Sequence, residues 1–208
     1  MHSAHLTPQP VAVCKPCKPC KSSRLSLNEV NLYEQYADHG RYMVCLFQNW
    51  EGDEIGKTRI RRFRYSTMVA VARDVGIRHA RHPSYRWLEY HAFSWHDFVL
   101  REQLIRTMMW VFLLDTAFVI FNNVPPRLAI KEMRMHLACN EASFQAPTAE
   151  SCLYHLRSTS GDGPYLLSSL TANMCRATMT AAEQASVADV GPLNLFALTS
   201  CKQCDMTV

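Results

Sequence analysis

The run from Trp95 to Phe121 constrains the fold of this chain more than any other feature. It is apolar on almost every side of a helix and ends at the sequence Asn-Asn-Val-Pro-Pro. A helix of this kind must be buried in a helical bundle or in a membrane. Its most apolar part, from Met108 to Phe121, is shorter than the ~20 residues of a membrane span and contains Asp115. We therefore predict that it forms the buried centre of a helical bundle.

The predicted central helix carries few charges, and a buried charge is costly unless it is paired. Glu102 and Arg106 lie one helical turn apart in the favourable acidic-first order, which predicts an ion pair. Asp115 with Arg101 or Arg106 is compatible with a catalytic pair, but inside a packed helix we interpret these residues as a structural ion-pair network. Four aromatic residues are predicted to supply much of the core: Trp110, Phe112, Phe118 and Phe121.

Composition bounds the remaining possibilities. The 208 residues are enough for one domain with its own core. A net charge of +4 does not by itself indicate nucleic-acid binding. Residues 1–20 contain no apolar segment typical of a secretory signal, and the scattered cysteines suit a reducing compartment, the cytosol or the nucleus.

The pattern along the chain predicts an all-α fold, an irregular helical bundle around the long buried central helix. Residues 1–28 are predicted to be a disordered tail rich in Cys, Lys and Pro, residues 29–190 the domain, and residues 191–208 a poorly ordered C-terminal segment. The predicted helices are 27–47 with an interruption at Gly40, 53–76 with a left-handed cap at Gly76, 95–121, a short one within 127–144, 147–156 capped by Thr148, and 166–187. Residues 77–94 and 158–164 are predicted to be a connector and a loop.

A cysteine cluster near the start of the chain is the strongest metal candidate. Cys14, Cys17 and Cys20 form two Cys-x-x-Cys steps beside lysines that would lower the thiol pKa values. A closed zinc site needs four ligands, and Cys201 or Cys204 would have to supply the fourth. Zinc binding and an unstructured Cys-Lys-Pro tail are the two alternatives.

A basic run from Lys57 to Arg64 holds five cations in eight residues and could contact phosphates. It follows an acidic stretch at 51–54, which favours pairing between neighbouring turns. Ile60 and Phe63 are predicted to form its buried side. We therefore interpret this run as a solvated or intramolecularly paired helix face.

No residue pattern indicates an enzyme. The chain has no Gly-rich phosphate loop, no His-Glu-x-x-His and no Gly-x-Ser-x-Gly. His79 with His82, and His91 with His96, resemble metal-ligand pairs, but their spacings lack acidic or cysteine partners. We interpret these four as connector or surface histidines.

Several runs together resemble the regulatory domain of fungal transcription factors, the fungal-specific transcription factor domain or middle homology region. They are Trp50-Glu-Gly-Asp-Glu54, Arg61-Arg62-Phe63-Arg64-Tyr65, Phe98, Arg101-Glu102, Arg106-Thr107, Trp110-Val-Phe-Leu-Leu-Asp115, Phe121-Asn122-Asn123-Val-Pro125-Pro126, Glu132, Cys139 and Phe144-Gln-Ala146. The resemblance covers about residues 30–160. It is strongest to the branch in which zinc fingers of the two-cysteine, two-histidine type precede this domain.

This resemblance implies a helical, non-catalytic domain of a nuclear transcription factor. Such a domain regulates transcription by RNA polymerase II through protein partners or self-association, while a separate zinc module binds DNA. The finger pattern is absent from this sequence, so we expect a fragment or a stand-alone module. The alternative hypothesis is a small zinc-dependent DNA-binding protein that uses the Cys14–Cys20 cluster and the Lys57–Arg64 run.

Overall fold

The computed structural model describes residue 40 and residues 44–158, 165–176, 178–188 and 190–205. All regular elements in these ranges are helical, and one isolated bridge pairs His136 with Leu166. The predicted all-α bundle around a long central helix is confirmed. The predicted N-terminal tail and its three cysteines lie outside the described residues.

Four helical elements follow residue 40: the first folds back so that Gln48 lies beside Arg64, and the other three form a nearly continuous rod. They are α1 (44–50), α2 (Glu54–Arg59), a π-helical turn (Ile60–Arg64) and α3 (Tyr65–Val75). Asp53 caps α2 because its Oδ1 accepts the Gly56 N–H at 2.7 Å. Gly76 ends α3 with φ 92° and donates its N–H to the Ala72 carbonyl at 3.1 Å, so the predicted left-handed cap is confirmed. Gly40, where an interruption was predicted, is helical.

The connector of residues 77–94 contains two short 3₁₀ turns, Ile77–His79 and Tyr90–Ala92. It leads into the central helix α4 (Trp95–Asn122), whose first turn is capped by the Ser94 hydroxyl. Asn123 follows with φ 49°, a left-handed residue that ends the helix. The predicted helix and its exit are therefore confirmed.

By length and composition α4 could cross a membrane, yet 61% of its most apolar stretch is buried inside the protein. It packs against α3 on one side and against the last helix of the chain on another. Phe112 and Phe118 are buried, as predicted. The prediction for Trp110 and Phe121 is wrong, since they are 37% and 72% exposed. These two residues lie eleven positions apart, close to three turns, so they lie on the same side of α4.

The predicted short helix within residues 127–144 is mostly wrong. The structure has a 3₁₀ turn (Ile130–Glu132), an extended segment (133–140) and only one turn of helix, α5 (Glu141–Phe144). Met133, Met135 and Leu137 all point into the core, with a period of two residues rather than 3.6. Helix α6 (Ala149–Ser158) follows, and Thr148 caps it as predicted by accepting the Ser151 N–H at 3.2 Å.

Three helices complete the described chain. They are α7 (Leu167–Met174), α8 (Ala181–Ala188) and α9 (Pro192–Asp205). The single helix predicted for 166–187 is therefore two helices, because Thr180 starts a new one by accepting the Glu183 N–H at 3.3 Å. Helix α9 lies within the segment from residue 191 for which poor order is expected. Helix α9 buries Ala197, Leu198 and Cys201 against α4 and α7.

Candidate functional site

Two of the motif residues, Glu102 and Arg106, lie in a buried polar cluster on α4. The Glu102 carboxylate is fully buried. Arg106 Nε donates to its Oε1 at 2.7 Å, and His82 Nε2 lies 2.8 Å from its Oε2. The backbone N–H of Cys139 donates to both oxygens, at 3.1 and 3.2 Å. This carboxylate therefore joins α4 to the connector and to the extended segment.

His82 lies in the connector, one of the two places predicted for it, but it is buried rather than at the surface. It stacks on the Phe98 ring at 5.2 Å between centroids, and has Tyr85 Oη 3.1 Å from its Nδ1. Its backbone N–H donates to His136 Nδ1 at 3.0 Å. Its acidic partner is Glu102, twenty positions later in the sequence. Metal-ligand and helix spacing patterns cover only a few residues, so they do not predict this pair.

The electrostatics of this cluster favour an ionised carboxylate. Burial raises the pKa of the Glu102 carboxyl, but the hydrogen bonds and charges of His82 and Arg106 outweigh it and hold the pKa below its usual value. Burial raises the pKa of the Cys139 thiol well above its usual range and that of the Cys152 thiol to about 11. Neither of these thiols has the lowered pKa of a nucleophile.

Arg106 extends the cluster to the protein surface. Its Nη2 donates to Glu141 Oε2 at 3.0 Å, and its guanidinium lies 3.8 Å from the centre of the Phe144 ring. One arginine thus holds α5 against α4 through an ion pair and a cation–π contact.

Asp115 forms a second polar cluster, which differs from the one expected. It does not pair with Arg101 or Arg106 in the described structure. Its carboxylate accepts the backbone N–H groups of Arg127, at 3.0 and 3.2 Å, and of Leu128, at 2.8 Å. A buried carboxylate thus satisfies backbone donors just after the proline pair.

Arg127 links this second cluster to the first rod of helices. Its Nη2 donates to the Arg61 carbonyl at 2.7 Å, and its guanidinium lies 5.0 Å from the centre of the Tyr65 ring. Burial, followed by the nearby Asp115 carboxylate, raises the pKa of Tyr65 above its usual range. The π-helical turn and the exit of α4 are therefore held together.

Three aromatic side chains form an exposed surface near the end of α4. Trp50 and Phe121 meet edge to face with 6.1 Å between ring centroids, although they are 49% and 72% exposed. Phe47, which is 66% exposed, lies one turn before Trp50 on the same side of α1. We call Phe47, Trp50 and Phe121 the aromatic face.

The remaining motif residues are spread over the surface around these features. Pro125 and Pro126 are exposed after Asn123, and Asn122 is half-buried. Arg101 is exposed, with Nη1 donating to the Arg81 carbonyl at 3.3 Å.

The basic run is partly engaged within the protein. Lys57 pairs with Glu54 at 3.1 Å, and the Arg64 guanidinium donates to the Gln48 side chain. Arg59 and Arg62 are exposed, and Arg61 is half-buried. Ile60 is fully buried, as predicted, but Phe63 is 67% exposed, so that prediction is wrong. The π-helical turn widens the helix here and changes which residues face the core.

The chain is similar to a fungal transcription factor. It is 48% identical over 174 residues to transcription factor verF of Penicillium polonicum. The match covers 79% of this chain and 23% of verF, so the chain spans about a quarter of that relative. No family model and no solved structure matches the chain.

The metal prediction stays open. In the described ranges, no group of three His, Cys, Asp or Glu side chains could hold a metal ion. Cys14, Cys17 and Cys20 lie outside those ranges. Cys201 is buried in α9.

Proposed function

We propose that this chain is a regulatory domain of a fungal transcription factor. It acts in the nucleus on transcription by RNA polymerase II, through protein partners or self-association, and a separate zinc module supplies DNA binding. The observation that carries this proposal is the 48% identity to a fungal transcription factor. The two polar clusters support it because Glu102, Arg106 and Asp115 are occupied in holding helices and loops together.

The aromatic face is the surface best suited to a protein contact. Exposed aromatic side chains that touch one another are typical of the central residues of protein interfaces. Trp50 and Phe121 already pack against each other, so a partner that covers them buries a preformed apolar surface at a low entropy cost. No observation on the described residues favours the competing zinc-dependent DNA-binding hypothesis.

A reporter assay tests the proposal. The full chain is fused to an unrelated DNA-binding domain in a fungal host, and transcription is measured from a promoter that carries the matching site. We expect the fusion to change reporter output several-fold relative to the DNA-binding domain alone. The double variant Trp50→Ser and Phe121→Ser should remove most of that change.

The matched control is Trp87→Ser, which removes another exposed tryptophan (84% exposed) from the connector. It should leave the reporter output unchanged. Size-exclusion chromatography with light scattering on the same proteins separates self-association from binding of another partner. A nuclear, stable fusion that leaves transcription at the level of the DNA-binding domain alone would refute the proposal.

A further inference from the structure

Three arginines from separate segments are brought together on one part of the surface. They are Arg81 in the connector, Arg101 on α4 and Arg134 in the extended segment. Arg81 Nε donates to the Arg134 carbonyl at 2.8 Å, and Arg101 Nη1 donates to the Arg81 carbonyl at 3.3 Å. Arg101 and Arg134 are exposed, and Arg81 is half-buried. We call these residues the arginine cluster.

The arginine cluster has no carboxylate partner among the described residues. Arg73, Arg106 and Arg176 each pair with a glutamate, at distances between 2.7 and 3.3 Å. The described ranges place no carboxylate oxygen within 4.0 Å of the guanidinium groups in the cluster. Its positive charges are therefore not neutralised by ion pairs with the part of the chain that the structure describes.

Acidic residues do lie in the neighbourhood, but each has another role. Glu102 follows Arg101 in sequence, is fully buried and is bound by His82 and Arg106. Asp97 lies one turn before Arg101, and its carboxylate is 4.0 Å from the His96 ring. Glu132 is held by Arg73. None of these three carboxylates forms an ion pair with the arginine cluster in the described structure.

We propose that the arginine cluster binds a phosphate dianion, either free or as the monoester of a phosphorylated residue. Guanidinium groups present several N–H donors in a planar fork that matches phosphate oxygens. In Arg81 and Arg101, one N–H is used to fix the side chain on a backbone carbonyl, so the remaining donors are oriented and available.

Charge favours a dianion over a single carboxylate. Three arginines on one part of the surface carry up to three positive charges, and a phosphate with about two negative charges at pH 7 offsets more of this charge than a carboxylate does. The size of the cluster favours a compact ligand over duplex DNA, whose binding rests on many phosphate contacts along the double helix. This site is separate from the aromatic face and goes beyond the proposed regulatory function.

Calorimetric titration of the full chain at pH 7.5 and fixed ionic strength tests the site. The probes are inorganic phosphate, a short peptide with one phosphoserine, the same peptide with an unmodified serine, and a short DNA duplex. We expect the phosphopeptide to bind at least tenfold more tightly than the unmodified peptide. Binding of inorganic phosphate as tight as that of the phosphopeptide would identify free phosphate as the source.

Two variants, Arg101→Gln and Arg134→Gln, should each weaken phosphate binding at least fivefold. The matched control is Arg62→Gln, which removes an exposed arginine from the π-helical turn and should change binding less than twofold. The Arg134 side chain makes no hydrogen bond or ion pair with the described residues, so Arg134→Gln keeps the test valid if Arg101→Gln does not fold. The proposal is overturned by an absence of saturable phosphate binding, by an equal loss in all three variants, or by tighter binding of DNA than of the phosphopeptide.

Discussion

At the scale of single residues, the buried Glu102 carboxylate joins three segments of the fold, namely α4, the connector and the extended segment. It accepts hydrogen bonds from a side chain one turn away and from groups on two other segments. Removing one member of such a cluster is costly. The groups that remain are still buried away from water, and they have lost the charge or hydrogen bond that stabilised them there.

The first prediction concerns this carboxylate. Glu102→Gln should lower the free energy of unfolding by about 3 kcal/mol, since Arg106 and His82 lose their anionic partner. Urea unfolding followed by circular dichroism measures the change. Glu54→Gln is the matched control: its side chain is 82% exposed in an ion pair with Lys57, so its effect should stay below about 0.5 kcal/mol. Equal effects of the two substitutions would contradict the central role of Glu102.

The second prediction concerns acid sensitivity. Burial, then the charges of His82 and Arg81, lower the pKa of His136 to about 4 from 6.5. Between these values the unfolded chain binds a proton that the folded chain does not, so this contribution to stability is complete above pH 6.5 and declines as the pH falls toward 4. The Nδ1 atom must stay unprotonated to accept the His82 N–H, which agrees with this direction.

His136→Asn should therefore reduce the slope of unfolding free energy against pH between 6.5 and 4. The reduction is at most about 1.4 kcal/mol per pH unit, and less with the solvent screening of a half-buried ring. Denaturant titrations at several pH values provide the measurement. The exposed His91 supplies the control His91→Asn, and a variant slope equal to that of the wild type would rule out this assignment.

Residue spacing in the sequence predicts only those contacts of the two polar clusters that join residues one helical turn apart. The pair of Glu102 and Arg106 follows from an i,i+4 spacing on a helix that was itself predictable. The contact of Glu102 with His82 depends on how the connector folds back over α4, and no pattern in the sequence encodes that path. The same is true of Asp115, whose partners are backbone N–H groups with no side-chain signature.

At the scale of elements, helix ends and helix interiors differed in how well the sequence predicted them. Gly76 and Thr148 were identified because end caps need particular residue types. The extended segment was missed although Met133, Arg134, Met135, His136 and Leu137 alternate between apolar and polar. A run this short fits either a strand-like period or part of a helical one, and its pairing with Leu166 decided the outcome.

The third prediction tests the cap at Gly76. Gly76→Ala should destabilise the protein by about 1–2 kcal/mol, since φ 92° is strained for a residue with a Cβ atom. The added Cβ would also lie 2.4 Å from His79 Cδ2. Thermal unfolding measures the loss. Gly191→Ala is the control because nothing lies within 4 Å of its added Cβ, and a loss there as large as at Gly76 would contradict the explanation.

At the scale of the whole molecule, the central helix was predictable and the elements that cover it were less so. A helix that is apolar on all sides is predicted to be buried, but its sequence does not indicate which segments cover it. The sequence after Gly191 is short and mixed in polarity, so its helix depends on the surface that α4 and α7 offer. Asn194 also anchors α9 to the extended segment by exchanging two hydrogen bonds with the Ala138 backbone, both 2.9 Å.

The fourth prediction concerns the packing of α9 against α4 and α7. Leu198→Ala should cost about 2–4 kcal/mol of unfolding free energy, because the side chain is fully buried beneath α9. Leu195→Ala, on the same helix but 44% exposed, should cost less than about 1 kcal/mol. Guanidinium unfolding compares the two. If α9 were loosely attached, both substitutions would have the same small effect.

The π-helical turn at Ile60–Arg64 bears on how related chains can diverge. A turn of this type holds one residue more than an α-helical turn, so deleting a single residue there can restore an ordinary helix without breaking it. Such a deletion would rotate everything before the turn by about 100° relative to α3. The Lys57 side of the rod would then point in a new direction while the packing of α3 on the central helix stayed the same. A one-codon change there would thus reorient a charged surface, and it would have to be accommodated by the buried side chain of Ile60 and by the contact of Arg127 with the Arg61 carbonyl.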